Sequence, residues 1–335
     1  MFNTKKWAFV ALLVALGAVV LAACTPTTET VTVEVTRVVT ETVVEEGQTV
    51  EVTRVVTETV VEEGVVEPEE EPAGPKDLIV CMAQEPDTMY PYGGSMLAGA
   101  AVQHAIFENN FTTLSYDYQA QGLEKVPSLA DGDAVVESVE VNAGDTVVDA
   151  GGNVVTVEEG VSLTTSDGET VEFAGDPVMM DRLVVDFTMK PRVWSDGTPV
   201  TANDSVYSFN VNADPDTPAS KFTVERTTSY EATGDLTTRW TGLPGYKDST
   251  FFLNFWQPFP EHVWGAFTAA ELLEAEESSR LPVGDGPFAI QEWVAGDSIR
   301  LTPNEFYYQE GLPYLDSVTY KFIPDTNQLI AQLLS

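Results

Sequence analysis

The hydrophobic pattern opens with one unbroken apolar run, Trp7 to Val20, preceded by Lys5 and Lys6 and followed by Leu21-Ala22-Ala23-Cys24. A charged start, an apolar middle and a small-residue end form the three-part pattern of a secretory signal peptide over residues 1–24. The run is short for a bilayer-spanning helix, which needs about 20 apolar residues. Beyond Cys24 the pattern changes to threonine, valine and glutamate. Glu34 to Gly47 recurs letter for letter as Glu51 to Gly64, and the stretch ends in a proline- and glutamate-rich segment up to Pro75. The segment has no aromatic residues with which to build a core, and proline and like charge favour extension at its end, so residues 25–76 are expected to form a tether. Two repeats rich in β-branched residues are also suited to pair as strands, or to associate with copies on other chains. The charges at Glu34, Arg37, Glu41, Glu45 and Glu46 oppose that.

From residue 77 onward the pattern is that of a folded body. Leu78–Ala83 predicts a buried strand, followed by a turn at Glu85-Pro86-Asp87. Ala98–Glu108 predicts a helix, with Ala101, Val102, Ala105 and Ile106 on one apolar stripe. Turn signals recur every few residues from Asp131 to Pro177, with short valine-rich runs between them, which predicts a hairpin-rich insert. Leu183–Lys190 alternates with Val185, Phe187 and Met189 on one side, as a half-buried strand does. Thr201-Ala-Asn-Asp204 has the spacing of a helix start, with Asp204 where negative charge suits the N-terminus. Phe288–Ile290 and Ser298–Leu301 predict further strands, and Asp325–Gln328 a last helix start. The body is therefore mixed α and β with β in excess.

Charge narrows the partners. The formal net charge is -37, with 53 acidic residues against 16 basic ones, and the excess runs through tether and body alike. Such a surface repels phosphate backbones, which argues against nucleic acid. The two cysteines, Cys24 and Cys81, sit in unrelated contexts, and no CxxC metal spacing exists. The chain has no G-x-S-x-G elbow and no Gly-Lys pair of a phosphate-binding loop. Its two histidines, His104 and His262, lack metal-ligand spacing. No catalytic residue, metal or cofactor is implied. Aromatic residues gather in the second half, at Trp194, Trp240, Phe255, Trp256, Trp264, Trp293, Tyr307 and Tyr308. They suit either a core or a wide cleft.

Leu21-Ala-Ala-Cys24 resembles the bacterial lipoprotein box, which makes Cys24 the lipidated first residue of the mature chain; two or more acyl chains give stable anchoring. Four stretches of the body resemble the peptide- and nickel-type extracellular solute-binding proteins. The first is Leu78–Asp87, running on to Pro91. The second, Trp194-Ser-Asp-Gly-Thr-Pro-Val-Thr-Ala-Asn-Asp204, is the most specific. The third is Gly284-Asp-Gly-Pro-Phe288 with Glu292-Trp293 and Asn304, where Asp285 replaces the usual threonine. The fourth is Leu312-Pro-Tyr-Leu-Asp316 through Pro324 to Leu334.

The resemblance implies a periplasmic-binding-protein-like fold of type II, α/β with an extra subdomain, whose two lobes close over a ligand. It implies no enzyme, but the extracytoplasmic, lipid-anchored subunit of an ABC importer that hands oligopeptides to membrane permease subunits. An oligosaccharide ligand, or an adhesive surface lipoprotein built on the repeat, are the alternatives. Trp194, Asp196, Gly197, Asp204, Gly284, Gly286 and Pro287 are expected to be scaffold. Ligand contacts are expected at Glu85, Tyr90 and Tyr92, in and just after the first turn, and at Trp256. Residues 77–335 are expected to hold the first lobe with its β-rich subdomain, and to stop before the second lobe is complete.

Overall fold

The structure, a computed structural model, describes residues 29–45, 48–64 and 74–333. The expected leader and the lipidation at Cys24 lie outside the described residues. No helix among the described residues is long and apolar enough to cross a membrane. The chain divides into a unit of residues 1–74 and a unit of residues 75–335.

In the first unit the repeats pair with each other. Strands β1 (Glu29–Glu45) and β2 (Gln48–Gly64) form an antiparallel ribbon, with Glu29 opposite Gly64, Val38 opposite Val55 and Glu45 opposite Gln48. The strand pairing to which the β-branched repeats are suited is thus the arrangement found. β-Branched residues favour pleated backbone, and the charges are dispersed along the register: Arg37 lies opposite Val56, Arg54 opposite Val39, Glu41 opposite Val52 and Glu58 opposite Val35.

The second unit begins with β3 (Asp77–Met82) and α1 (Leu97–Ile106). A small β4–β5 hairpin (Phe111–Thr112, Gln119–Ala120) follows, then β6 (Ala134–Val141). The hairpin-rich insert appears as β7 (Thr146–Val148), β8 (Val154–Thr156), β9 (Ser162–Thr164) and β10 (Thr170–Glu172), and the chain rejoins the main body in β11 (Val178–Thr188). Next come α2 (Ala202–Ala213), β12 (Thr227–Ala232), β13 (Thr237–Gly242) and two one-turn helices, α3 (Glu261–Trp264) and α4 (Glu276–Ser279). The last elements are β14 (Phe288–Val294), β15 (Ser298–Pro303), β16 (Ser317–Phe322) and α5 (Thr326–Leu333), where the Gln328 N–H bonds the Asp325 carboxylate as the sequence leads one to expect.

Two four-stranded sheets organise this body. One runs β14-β15-β16-β3, antiparallel except for the parallel β16–β3 pair; the other is the antiparallel β12-β13-β11-β6. The first sheet shares a core with α1 and the segment around α3, through Val102, Ile106, Phe259, Trp264, Ile299 and Leu301. The second sheet packs its alternating Leu183, Val185, Phe187 and Met189 against Trp240 and Tyr230, with Ala202 and Phe209 of α2. The insert keeps its own small core of Val147, Leu163, Phe173 and Met180. The strand expected to be buried at Leu78–Ala83 is instead an edge. With β16 on one side only, β3 leaves Leu78 43% and Ile79 59% exposed, while Val80 and Met82 pack on the core.

Candidate functional site

Two segments lie side by side where the cores meet, residues 107–110 and 284–287. The Gly286 N–H donates to the Ile106 carbonyl at 2.9 Å, and the Glu108 N–H to the Asp285 carboxylate at 3.0 Å. This closeness explains both glycines. A Cβ on Gly284 would stand 1.9 Å from the Ile106 carbonyl oxygen, and one on Gly286 2.6 Å from the Ile106 carbonyl carbon. Asp285 also takes Arg192 Nε at 2.7 Å in an ion pair with almost no exposure, and Arg192 reaches the Gly122 carbonyl at 2.8 Å. Glu108 is buried beside them, accepting from the Tyr307 hydroxyl at 2.8 Å. Burial pushes its carboxyl above the ordinary range, with Asp285 adding to the rise. One oxygen of Glu108 and Nη2 of Arg192 are left without partners. The signal for this cluster in the sequence was Asp285, the residue departing from the family motif.

Around this crossing stand the residues expected to be scaffold. Trp194 is fully buried, and its turn closes through Gly197 N–H to Trp194 C=O at 2.9 Å, with Gly197 in the left-handed region that glycine enters freely. The Ser195 N–H donates to Gly284 C=O at 2.8 Å, joining two motifs far apart in sequence. Burial works against the charge on Asp196, yet the Thr198 N–H and His262 hold its carboxyl below the ordinary range. Asp204 accepts from the Thr201 N–H at 2.7 Å and hydroxyl at 3.0 Å, and from the Glu261 N–H at 3.2 Å. It therefore caps α2 and fastens it to α3. Pro287 precedes β14 and offers its carbonyl to the Asn304 N–H at 2.9 Å.

The four expected ligand contacts separate into three environments. Glu85 spends both carboxylate oxygens on its own chain, accepting from Trp293 Nε1 at 2.8 Å and the Gly296 N–H at 3.0 Å; Arg280 lies over the Trp293 ring at 4.2 Å. It clamps the first turn to the β14–β15 hairpin. Tyr90 is fully buried, edge-on to Trp264 at 5.5 Å and to Tyr92 at 5.9 Å. Tyr92 and Trp256 come together. They line one cavity of about 230 Å³ with Asn212, Asn254, Ser220 and Thr223. The Tyr92 hydroxyl lies 3.0 Å from Ser208 Oγ of α2, and Trp256 is wedged against Phe209 at 4.7 Å and Tyr230 at 4.8 Å. Burial raises both phenols, Tyr230 to about 12 and Tyr92 further, so the rings stay neutral at physiological pH. No acid or base lines this cavity. Its surface is one of amides, hydroxyls and aromatic faces, suited to neutral polar and apolar groups. The asparagines gave no signal in the sequence, because their placement depends on the 251–256 segment folding back beside α2.

Residues 176–335 match the family described as bacterial extracellular solute-binding proteins, family 5 Middle. The oligopeptide-binding protein AppA of Bacillus subtilis (strain 168) is 38% identical over 156 residues, covering 45% of this chain and 28% of AppA. The oligopeptide-binding protein OppA of Lactococcus lactis subsp. lactis (strain IL1403) is 26% identical over 162 residues, covering 41% of this chain and 26% of OppA. Among solved structures, an oligopeptide binding protein from Thermus thermophilus, complexed with a pentapeptide, aligns with a TM-score of 0.57 at 17% identity, over 78% of this chain and 44% of that one. That likeness shows the fold. The chain spans about a quarter of the length of these curated relatives and under half of the solved chain.

Proposed function

We propose that the protein, whose residues 176–335 match the model of the bacterial extracellular solute-binding proteins, family 5, is the extracytoplasmic substrate-binding subunit of an ABC importer, capturing oligopeptides for a membrane permease. It works as a carrier and not as an enzyme. The observation that carries this reading is the 38% identity to an oligopeptide-binding protein, spread over 156 residues. The Cys24 box supports a lipid anchor, and the repeat unit serves as the tether between anchor and body. Cys24→Ser is expected to release the protein from membranes and abolish acyl labelling; retention would point to an uncleaved helix.

Tyr92 and Trp256 are the ligand contacts best supported on this chain, with room between them for one large side chain. Tyr90 packs edge-on against Tyr92, and Glu85 fixes the turn that precedes both. A peptide held through its backbone presents neutral N–H and C=O groups, which match the amides and hydroxyls around the cavity. The test is a tryptophan-fluorescence titration of the protein as its host makes it, against mixed tri- to octapeptides and against oligosaccharides. A peptide response with little salt dependence is the expected result. A sugar response with no peptide response overturns the reading.

A further inference from the structure

The cavity that holds Tyr92 and Trp256 contains an unpartnered polar side chain. Asn212, in the last turn of α2, is only 7% exposed and lines that cavity. Among the described residues nothing hydrogen-bonds its carboxamide, and neither amide atom is sealed inside the core. The amide therefore meets the cavity. Its backbone is held in place, because Lys221 Nζ donates to the carbonyls of Asn212, of Asp214 at 2.7 Å and of Thr217 at 3.0 Å. That cation is spent on the carbonyl end of α2, and the wall it steadies offers the cavity one amide, donor and acceptor together.

Asn254, also 7% exposed, lines the same cavity in one orientation. Its Nδ2 donates to Asp248 Oδ2 at 3.1 Å. A carboxylate only accepts, so the nitrogen of Asn254 has to be the atom at Asp248, and Oδ1 is turned the other way. Asp248 is itself fixed. Its Oδ1 accepts from the Thr250 N–H at 2.8 Å and hydroxyl at 2.7 Å, and its Oδ2 from the Tyr246 hydroxyl at 3.3 Å. Burial, with Asp248 beside it, pushes the Tyr246 phenol up to about 12, so Tyr246 keeps the proton it donates. The carboxylate thus decides which end of the Asn254 amide is presented, and it is the acceptor.

We propose that this cavity recognises a carboxamide, selecting peptides that bring a glutamine or asparagine side chain into it; the proposal rests on the reading of the protein as a peptide carrier. A primary amide satisfies both walls, donating to Asn254 Oδ1 and accepting from Asn212 Nδ2. A carboxylate of the same shape has no hydrogen for Asn254 Oδ1 and sets acceptor against acceptor. An aliphatic end expels water and leaves both asparagines without partners. An ammonium or guanidinium brings donors but no acceptor, and enters a cavity lined by no carboxylate to offset its lost hydration. A site built to hydrogen-bond a ligand group rejects the analogue lacking it far better than an apolar pocket rejects a methylene. Asn254 and Asn212 are then specificity-determining residues, and Asp248 is a positioning residue that acts through Asn254.

The test uses alanine pentapeptides carrying one glutamine at each position in turn, with glutamate and methionine counterparts. They are titrated into the protein as its host makes it, followed by tryptophan fluorescence. At one position at least, glutamine is expected to bind about tenfold tighter than either counterpart, as one hydrogen bond gained and one mismatch avoided require. Asn212→Leu breaks no side-chain bond of the fold and is expected to cut the preference for glutamine over methionine. Asp248→Asn lets the Asn254 amide turn, and is expected to bring the glutamine-to-glutamate ratio toward one. A merely structural loss would weaken all peptides alike and leave that ratio unmoved, which contradicts the role given to Asp248. Equal affinities for glutamine, glutamate and methionine at every position, with the all-alanine peptide bound, overturn this inference and leave the peptide reading standing. No binding of any peptide, the all-alanine one included, overturns that reading and this inference with it.

Discussion

Asp285 shows how one residue redirects a local structure. It stands where the family motif has threonine, and its carboxylate takes the Arg192 guanidinium and the Glu108 N–H at once. Removing one partner of a buried pair costs more than the pair contributes, because the remaining charge stays desolvated. Asp285→Ala is expected to cost about 3 kcal/mol in chemical denaturation. Glu108 stands nearby as a second carboxylate, so the double variant with Glu108→Gln should depart from additivity. Glu108 itself predicts a pH effect of definite sign. Its folded carboxyl holds the proton to higher pH than the unfolded chain does. Stability is therefore lost as pH rises from the ordinary glutamate value, about 4.3, through the raised one. Glu108→Gln should be more stable than the parent at neutral pH and no more stable near pH 4, with denaturant midpoints as the readout. A variant less stable at both pH values would show that the carboxylate is stabilising when charged. Asp285 marked the place in the sequence by departing from the motif, but its partner was not legible, since Arg192 is 93 positions away. The clamp made by Glu85 was hidden for the same reason: its partner Trp293 lies 208 positions away, and an exposed-looking turn carboxylate gives no local sign of being occupied.

Elements were the most legible level, because their causes are local. The alternation at Val185 and Phe187 marks β11, which begins earlier, at Val178, and ends at Thr188, just before Met189, and the spacing Thr201 to Asp204 marks the start of α2, which is found as read. The turn signals between Asp131 and Pro177 resolve into the four short strands β7 to β10. What alternation cannot tell is which neighbours a strand has. The apolar run at β3 looked like a central strand, but its place at the end of the sheet order exposes Leu78 and Ile79. The repeats likewise had two outcomes open to them, and pairing prevailed over extension. A prediction at this scale concerns the crossing of α1 and the segment before β14. Gly284→Ala would push a Cβ to 1.9 Å from a backbone oxygen that has no rotamer to escape into. A loss of about 3 kcal/mol is expected, appearing as faster amide exchange in both α1 and β14. A change confined to residues near 284 would mean that the two elements are not coupled there.

At the scale of the whole molecule, two sheets with separate cores are riveted by motifs from four parts of the chain: residues 107–110, 191–197, 204 and 284–287. Most of these motifs carried the family resemblance, and their work here is mechanical. This is why the resemblance to that family was readable in the sequence while the proposed ligand contacts were only partly so. Signature residues hold the scaffold, whereas the Tyr92–Trp256 cavity is assembled from aromatic and amide residues that any core might use. The body should also be independent of the ribbon, as its division into a separate unit indicates. Deleting residues 25–74 is expected to leave its melting temperature within about 2 °C, a shift that corresponds to well under 1 kcal/mol; a larger fall would reveal packing between the two. The central claim is that the protein carries peptides, and native mass spectrometry of the protein isolated from its own host tests it most directly. The account predicts bound species that gentle activation releases and that fragment as peptides of a few residues. Released species that fragment as sugars, with no peptide among them, would contradict it.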